Sequence, residues 1–144
     1  LARIVKHCQD IPGYELFQYY DENGERQVVD SADVNAYLQS ISGEAITAKS
    51  FRTWGGSTLA IKFLCEECVD ASAEDAARNC IAHVADSLGN TKAVCRKYYV
   101  HPAIMDAHVD GTLATLYARN VKKRRKKYAL TPEGETLMQL IEQS

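Results

Sequence analysis

The segment "NTKAVCRKYYVHP", residues 90 to 102, sets two adjacent phenols, Tyr98 and Tyr99, behind Arg96 and Lys97 and just ahead of a His-Pro pair. A tyrosine hydroxyl has a reference pKa near 10, so only about a thousandth of it is ionised at pH 7. To act as a nucleophile it needs cations or hydrogen-bond donors near the reacting centre. Arg96 and Lys97 bring charge close in sequence, but helix neighbours one and two positions apart do not face one another. Spacing alone therefore leaves the two phenols equivalent, and packing accounts for either ring as well as chemistry does.

Other reactive side chains are less organised. Cys8, Cys65, Cys68, Cys80 and Cys95 are odd in number and irregular in spacing, which argues against a disulfide framework and for a reducing compartment. Cys65 and Cys68 form a C-x-x-C, but none of His7, His83, His101 or His108 stands in a pair that would complete a zinc site, so they read as small buried helix residues. Net charge is −2, yet Lys122, Lys123, Arg124, Arg125, Lys126 and Lys127 hold six of the 17 basic residues. A run of this kind is a solvated loop or helix end that can also attract phosphates.

The elements that must position these groups are mostly helical. At 144 residues with 46% hydrophobic and 25% charged content, the chain has the size and balance of one globular domain. Residues 1 to 10 read as the tail of a helix stopped by Ile11-Pro12-Gly13. "YELFQYYDENGERQVV" places β-forming runs on both sides of Asp21 to Gly24, which predicts a β-hairpin near residues 15–29. Ser31 is expected to cap a helix that buries Val34, Tyr37, Leu38 and Ile41 and ends at Gly43. From Thr47 a longer helix is expected to bury Phe51, Trp54, Thr58, Ile61 and Cys65, with Gly55-Gly56 marking the close approach of another backbone. Another runs from about Ser72 to Leu88 with Ala76, Ala77, Cys80, Ile81, Val84 and Leu88 inward. Short helices near 91–98, 102–109 and 111–120 and a last one begun by Thr131-Pro132 complete a mainly α chain.

With the elements placed, "LGNTKAVCRKYYVHP" resembles the active-site tyrosine motif of bacterial, poxvirus-like type IB DNA topoisomerases, which typically reads "GNTPAVCRKSYIHP". Upstream, "DIPGYELFQYY" and "TAKSFRTWGG" resemble that family's "LPGQELFQY" and "TAKDFRTWAGT" stretches, in the same order, so the likeness runs from about Ile4 to about Gly111. The resemblance implies the helical catalytic subdomain of the type IB topoisomerase and tyrosine recombinase fold. It also implies an enzyme that cuts one strand of double-stranded DNA through a 3′-phosphotyrosyl link and reseals it, relaxing supercoils with no ATP, metal or other cofactor. By the same resemblance Tyr99, directly before Val100-His101-Pro102, is the nucleophile, and Arg52 holds nonbridging phosphate oxygens. Asn90, nine residues before Tyr99, is the implied electrostatic donor, because an amide cannot exchange protons. Lys49, Arg96 and Lys97 are the expected DNA contacts.

The chain departs from the family pattern at Lys92, in place of proline, and at Tyr98, in place of a small residue such as serine. In the family a further arginine and a general-acid lysine precede the "LPGQELFQY" stretch. Neither Arg3 nor Lys6 sits in a matching motif, so the expectation is a single domain over 1–144, the C-terminal part of the catalytic domain, lacking that arginine and lysine region and a poor catalyst alone. A first residue of Leu1 is in keeping with an excised or processed piece. Two alternatives stay open. One is a tyrosine recombinase or integrase, disfavoured by Lys49 and Asn90; the other is a non-catalytic helical DNA-binding module held by the 122–127 run. With no apolar run of membrane-spanning length and no signal-like N-terminus, the expected setting is cytoplasmic, and by family analogy the protein is a monomer.

Overall fold

The computed structural model describes residues 2–68, 71–123 and 126–143. It is mainly helical with one short antiparallel sheet, and falls into two compact units, Leu1–Ala48 and Lys49–Ser144. Among the described residues no helix is long and apolar enough to cross a membrane.

The first unit opens with α1 (Ala2–Gln9), which has no buried residue and ends where Pro12 cannot continue a helix. Strands β1 (Gln18–Tyr20) and β2 (Arg26–Val28) pair antiparallel in the register Gln18 to Val28, Tyr19 to Gln27 and Tyr20 to Arg26, as the turn chemistry predicts. Asp21 closes the turn: one carboxylate oxygen accepts from the amides of Asn23 and Glu25 at 2.9 Å each, and the other from Gln27 Nε2 at 2.9 Å. These donors, Gln27 foremost, hold the Asp21 carboxyl below its ordinary pKa. The unit's one buried residue among those described is polar. Gln18, 4% exposed, donates to the Ile11 carbonyl at 2.9 Å and ties the hairpin to the chain leaving α1.

Helix α2 (Ser31–Ser42) corrects two expectations. Its cap is Asp30, one residue before Ser31, in a capping box with Asp33; Gly43 terminates it at φ 71° as expected. Its periodic apolar face is not buried: Val34, Tyr37 and Ile41 are all exposed, and no residue of the helix is buried. Periodicity reports that a helix is amphipathic but not whether its own unit offers a surface to cover it.

The second unit holds α3 (Ala48–Glu66, less its first residue), α4 (Ala73–Leu88), α5 (Lys92–Tyr98), α6 (Pro102–Val109), α7 (Thr112–Val121) and α8 (Pro132–Glu142). Ile61, Val84, Ile104, Leu113 and Leu137 are fully or almost fully buried at its centre, and each such side chain contributes about 1.5–3 kcal/mol by leaving water. α4 buries Ala76, Cys80, Ile81, Val84 and Ala85, close to expectation, with Ser72 and Gly89 as its caps. The face of α3 is a correction. It buries Gly56, Ser57, Ala60, Ile61 and Leu64, whereas Phe51 is exposed and Trp54, Thr58 and Cys65 are half-buried. Large residues set the expected stripe, but the small ones mark the side where neighbouring backbone comes closest.

Burial raises the thiols of Cys65 and Cys80 to about 12, so both are held as neutral packing groups, Cys80 beneath the Ala60 carbonyl. Of the basic run, Arg124 and Arg125 lie outside the described residues. Lys123 forms an ion pair with Glu135 of α8, and Lys127 Nζ lies 5.1 Å from the ring centroid of Tyr128.

Candidate active site

Tyr99 sits where α5 ends. It is the helix's C-cap residue, its amide donating to the Cys95 carbonyl at 3.0 Å, and the next residue, Val100, is buried. The chain therefore turns inward at this point and leaves the Tyr99 ring half-buried, with its hydroxyl lacking a hydrogen-bond partner among the described residues. Tyr98, one position earlier, points to solvent with 45% exposure.

Helix α3 fixes this backbone from the other side. A Cβ added at Gly56 would lie 2.7 Å from the Tyr99 carbonyl oxygen and 3.1 Å from the Tyr99 Cβ, so only glycine admits the approach; at Gly55 nothing lies within 4 Å. Ser57, 1% exposed, donates from Oγ to the Tyr99 carbonyl at 3.2 Å and accepts the His101 amide at 3.1 Å. Thr53 Oγ1 donates to the Tyr98 carbonyl at 3.2 Å. Residues 53, 56 and 57 thus grip residues 98 to 101 in a polar cradle. Each of these bonds contributes about 1 kcal/mol made, and more is lost when one partner is removed.

Arg52, one residue before Thr53, reaches the same place. Its Nη2 donates to the Leu88 carbonyl at 2.8 Å, and its Cζ lies 5.2 Å from the centroid of the Tyr99 ring. Leu88 closes α4, so the guanidinium meets an unpaired carbonyl at the negative end of that helix. A cation over an aromatic ring adds about 0.5–1 kcal/mol at an exposed site. A surface ion pair is not what Arg52 makes among the described residues; most of its five-donor fork stays available to a ligand. Its charge is felt within α5, where it partly offsets the rise that burial imposes on the Cys95 thiol.

Asn90 completes the cluster. Gly89 adopts φ 63° to end α4, and Asn90 then donates from Nδ2 to the same Leu88 carbonyl at 3.1 Å. Cap and site coincide here, because the carbonyl that α4 leaves open holds both Arg52 and Asn90. Of the remaining expected contacts, Lys49 and Lys97 lie at the Tyr98 ring, with Nζ 4.9 and 5.0 Å from its centroid. Arg96 is placed differently: with Lys92 it lines a groove of about 1050 Å³ floored by Ile81, Val100, Met105 and Val109 between α4 and α6.

Residues 1–128 match the family model described as the catalytic core of eukaryotic DNA topoisomerase I. The chain belongs to this DNA topoisomerase I family. It is also 31% identical over 106 residues to the DNA topoisomerase 1B of Acanthamoeba polyphaga mimivirus, an alignment covering 67% of this chain and 32% of that protein. The topoisomerase-family chain therefore spans about a third of the length of the curated relative it matches.

Four participants in this candidate site escape a reading of side-chain chemistry: Thr53, Gly56, Ser57 and the Leu88 carbonyl. One signal for them was legible, the small-residue pair within "FRTWGGST", which predicts a backbone contact without naming the backbone. Gly56 alone meets it.

Away from this cluster, Tyr117 of α7 places its hydroxyl between Glu66 and Glu133, donating to Glu66 and lying 3.2 Å from Glu133 Oε1. Burial and the two carboxylates push its pKa well up. Desolvation raises Glu133, but donors at Thr131, its own amide and Tyr117 outweigh that and leave it lowered. This cluster joins α3, α7 and α8 and belongs to the framework.

Proposed function

We propose that this chain is the C-terminal part of the catalytic domain of a type IB DNA topoisomerase, acting as a cytoplasmic monomer on double-stranded DNA. Tyr99 is its nucleophile, Arg52 its phosphate clamp and Asn90 its additional donor. The observation that carries the reading is the meeting of Arg52 and Asn90 on the Leu88 carbonyl, with the guanidinium over the Tyr99 ring.

In this reading the Tyr99 oxygen attacks a backbone phosphorus, passing its proton to solvent water as the new O–P bond forms. Negative charge grows on the nonbridging oxygens of the five-coordinate transition state, where the free N–H groups of Arg52 and the Asn90 amide stabilise it. The bond to the 5′ oxygen breaks, that oxygen takes a proton, and the strand stays linked to Tyr99 through its 3′ phosphate. Rotation of the free end relaxes supercoils. Attack by the 5′ hydroxyl then reverses the chemistry, and because one phosphoester is exchanged for another, no nucleotide is consumed. Neither a guanidinium nor an amide gives up a proton at neutral pH, so the proton for the 5′ oxygen comes from a further donor, an acid catalyst worth about 10²–10⁴-fold.

The test is to incubate the full-length protein with duplex DNA labelled at either end and quench with detergent. The expected result is an adduct that retains the 3′-phosphate side of the break, lost in Tyr99→Phe and kept in Tyr98→Phe. An adduct that survives Tyr99→Phe and disappears in Tyr98→Phe would overturn the assignment, and no adduct at all would favour a binding module.

A further inference from the structure

Tyr98 is the phenol that this reaction leaves unused. Its hydroxyl has no hydrogen-bond partner among the described residues, yet its ring is not idle. Lys49 Nζ lies 4.9 Å from the ring centroid and Lys97 Nζ 5.0 Å, so the two ammonium groups stand within about 10 Å of each other. They come from opposite ends of the site, Lys49 from the first turn of α3 and Lys97 from the last turn of α5. Neither forms an ion pair among the described residues.

Two like charges this close repel, and long lysine stems lose rotamer freedom when held. The group that favours both is the π face, whose negative quadrupole attracts cations. The backbone that carries the ring is anchored, since Thr53 Oγ1 donates to the Tyr98 carbonyl at 3.2 Å. Lys49 also stands three residues before Arg52, on the same side of α3, so whatever Lys49 grips lies beside the group that Arg52 grips.

We propose that Tyr98 is a positioning residue whose ring holds Lys49 and Lys97 as a two-ammonium clamp on a DNA backbone phosphate next to the one at Tyr99. The inference rests on duplex DNA being the substrate. Two ammonium groups at one aromatic ring, neither of them ion-paired among the described residues, fit a phosphodiester. The ring stores no sequence information; it removes the disorder that the two stems would otherwise lose on binding.

The test combines two readouts on the parent protein and on Tyr98→Leu and Tyr98→Phe, with folding verified by circular dichroism. The first is binding of a short duplex across a salt series, with Lys49→Met and Lys97→Met made in each background. Tyr98→Leu is expected to weaken binding about five-fold, and each lysine substitution to cost less in that background than in the parent. Tyr98→Phe, which keeps the ring, restores parent behaviour. The second readout needs no DNA: proton NMR of the free protein should show the ε-methylenes of both lysines shifted upfield by the ring in the parent and Tyr98→Phe, and unshifted in Tyr98→Leu. Intact parent binding with additive lysine effects overturns the clamp alone, as does Tyr98→Phe behaving like Tyr98→Leu. Failure of the parent to bind duplex overturns the substrate reading and the clamp's ligand with it, even where the lysines are ring-shifted.

Discussion

Adding a single methyl group at Gly56 tests how Tyr99, the proposed nucleophile, is placed. The new Cβ would stand 2.7 Å from the Tyr99 carbonyl oxygen, 3.1 Å from the Tyr99 Cβ and 3.2 Å from Leu88 Cδ1. The leucine methyl can rotate away, but the carbonyl is backbone and is already bonded to Ser57, so relief requires moving residues 98 to 101 by on the order of half an ångström. Overpacking of this kind costs about 1–3 kcal/mol, while replacing a helical glycine by alanine returns about 1 kcal/mol. Gly55 supplies the control, because it is in the same helix with nothing within 4 Å of its added Cβ. Helix propensity cancels between the two variants, so the difference in unfolding free energy between Gly55→Ala and Gly56→Ala isolates the contact. It should be about 1–3 kcal/mol, read from urea titrations. A misplacement of 1 Å can cost 10²-fold in rate, so half that shift predicts roughly a ten-fold loss of adduct formation in Gly56→Ala and none in Gly55→Ala. Equal stability and equal adduct rates in the two variants would refute the claim that α3 positions the Tyr99 backbone.

Four further outcomes are expected. Ser57→Ala leaves the His101 amide and one bond of the Tyr99 carbonyl unmet in a buried place, and should lower stability by about 1–3 kcal/mol in chemical denaturation, with slower adduct formation. Arg52→Ala should reduce adduct formation about 10²–10³-fold with little change in melting temperature, since Arg52 is exposed and Asn90 still caps Leu88; Arg52→Lys should not restore the rate, lacking the planar fork. In stability measured against pH, the raised Tyr117 contributes fully below its unfolded value near 10 and is lost as pH climbs through its folded value, so Tyr117→Phe should flatten the alkaline limb. The lowered Glu133 has the opposite sign: its contribution is present above its unfolded value of 4.5 and disappears as pH falls, so Glu133→Gln should flatten the acid limb.

The helices and the hairpin were legible because they rest on local chemistry. Pro12, the Asp21–Gly24 turn, Ser72, Gly89 and Thr131-Pro132 punctuate the chain at places where backbone preferences operate within a few residues. The motif positions of Tyr99, Arg52 and Asn90 were equally readable, since a resemblance is a property of order along the chain. What faces what was not. The amphipathic stripe of α2 predicted burial that its own unit does not provide, and the stripe of α3 was rotated from its large residues to Gly56, Ser57 and Ala60. Arg96 and Lys97 looked alike as neighbours of the phenols, but one helical position sends Arg96 into the α4–α6 groove and Lys97 to the Tyr98 ring.

The sequence by itself determined the elements, the family resemblance and the identity of the groups that can do chemistry. Tertiary structure alone decided that Arg52 and Asn90 share the Leu88 carbonyl, and that Gly56 and Ser57 hold the turn carrying Tyr99. It also turned the paired tyrosines into two different groups, one beneath a guanidinium and one with two lysine ammonium groups near its ring. The reason is physical: a backbone carbonyl has no signature in a sequence, and it acquires partners only when elements dozens of residues apart are packed together.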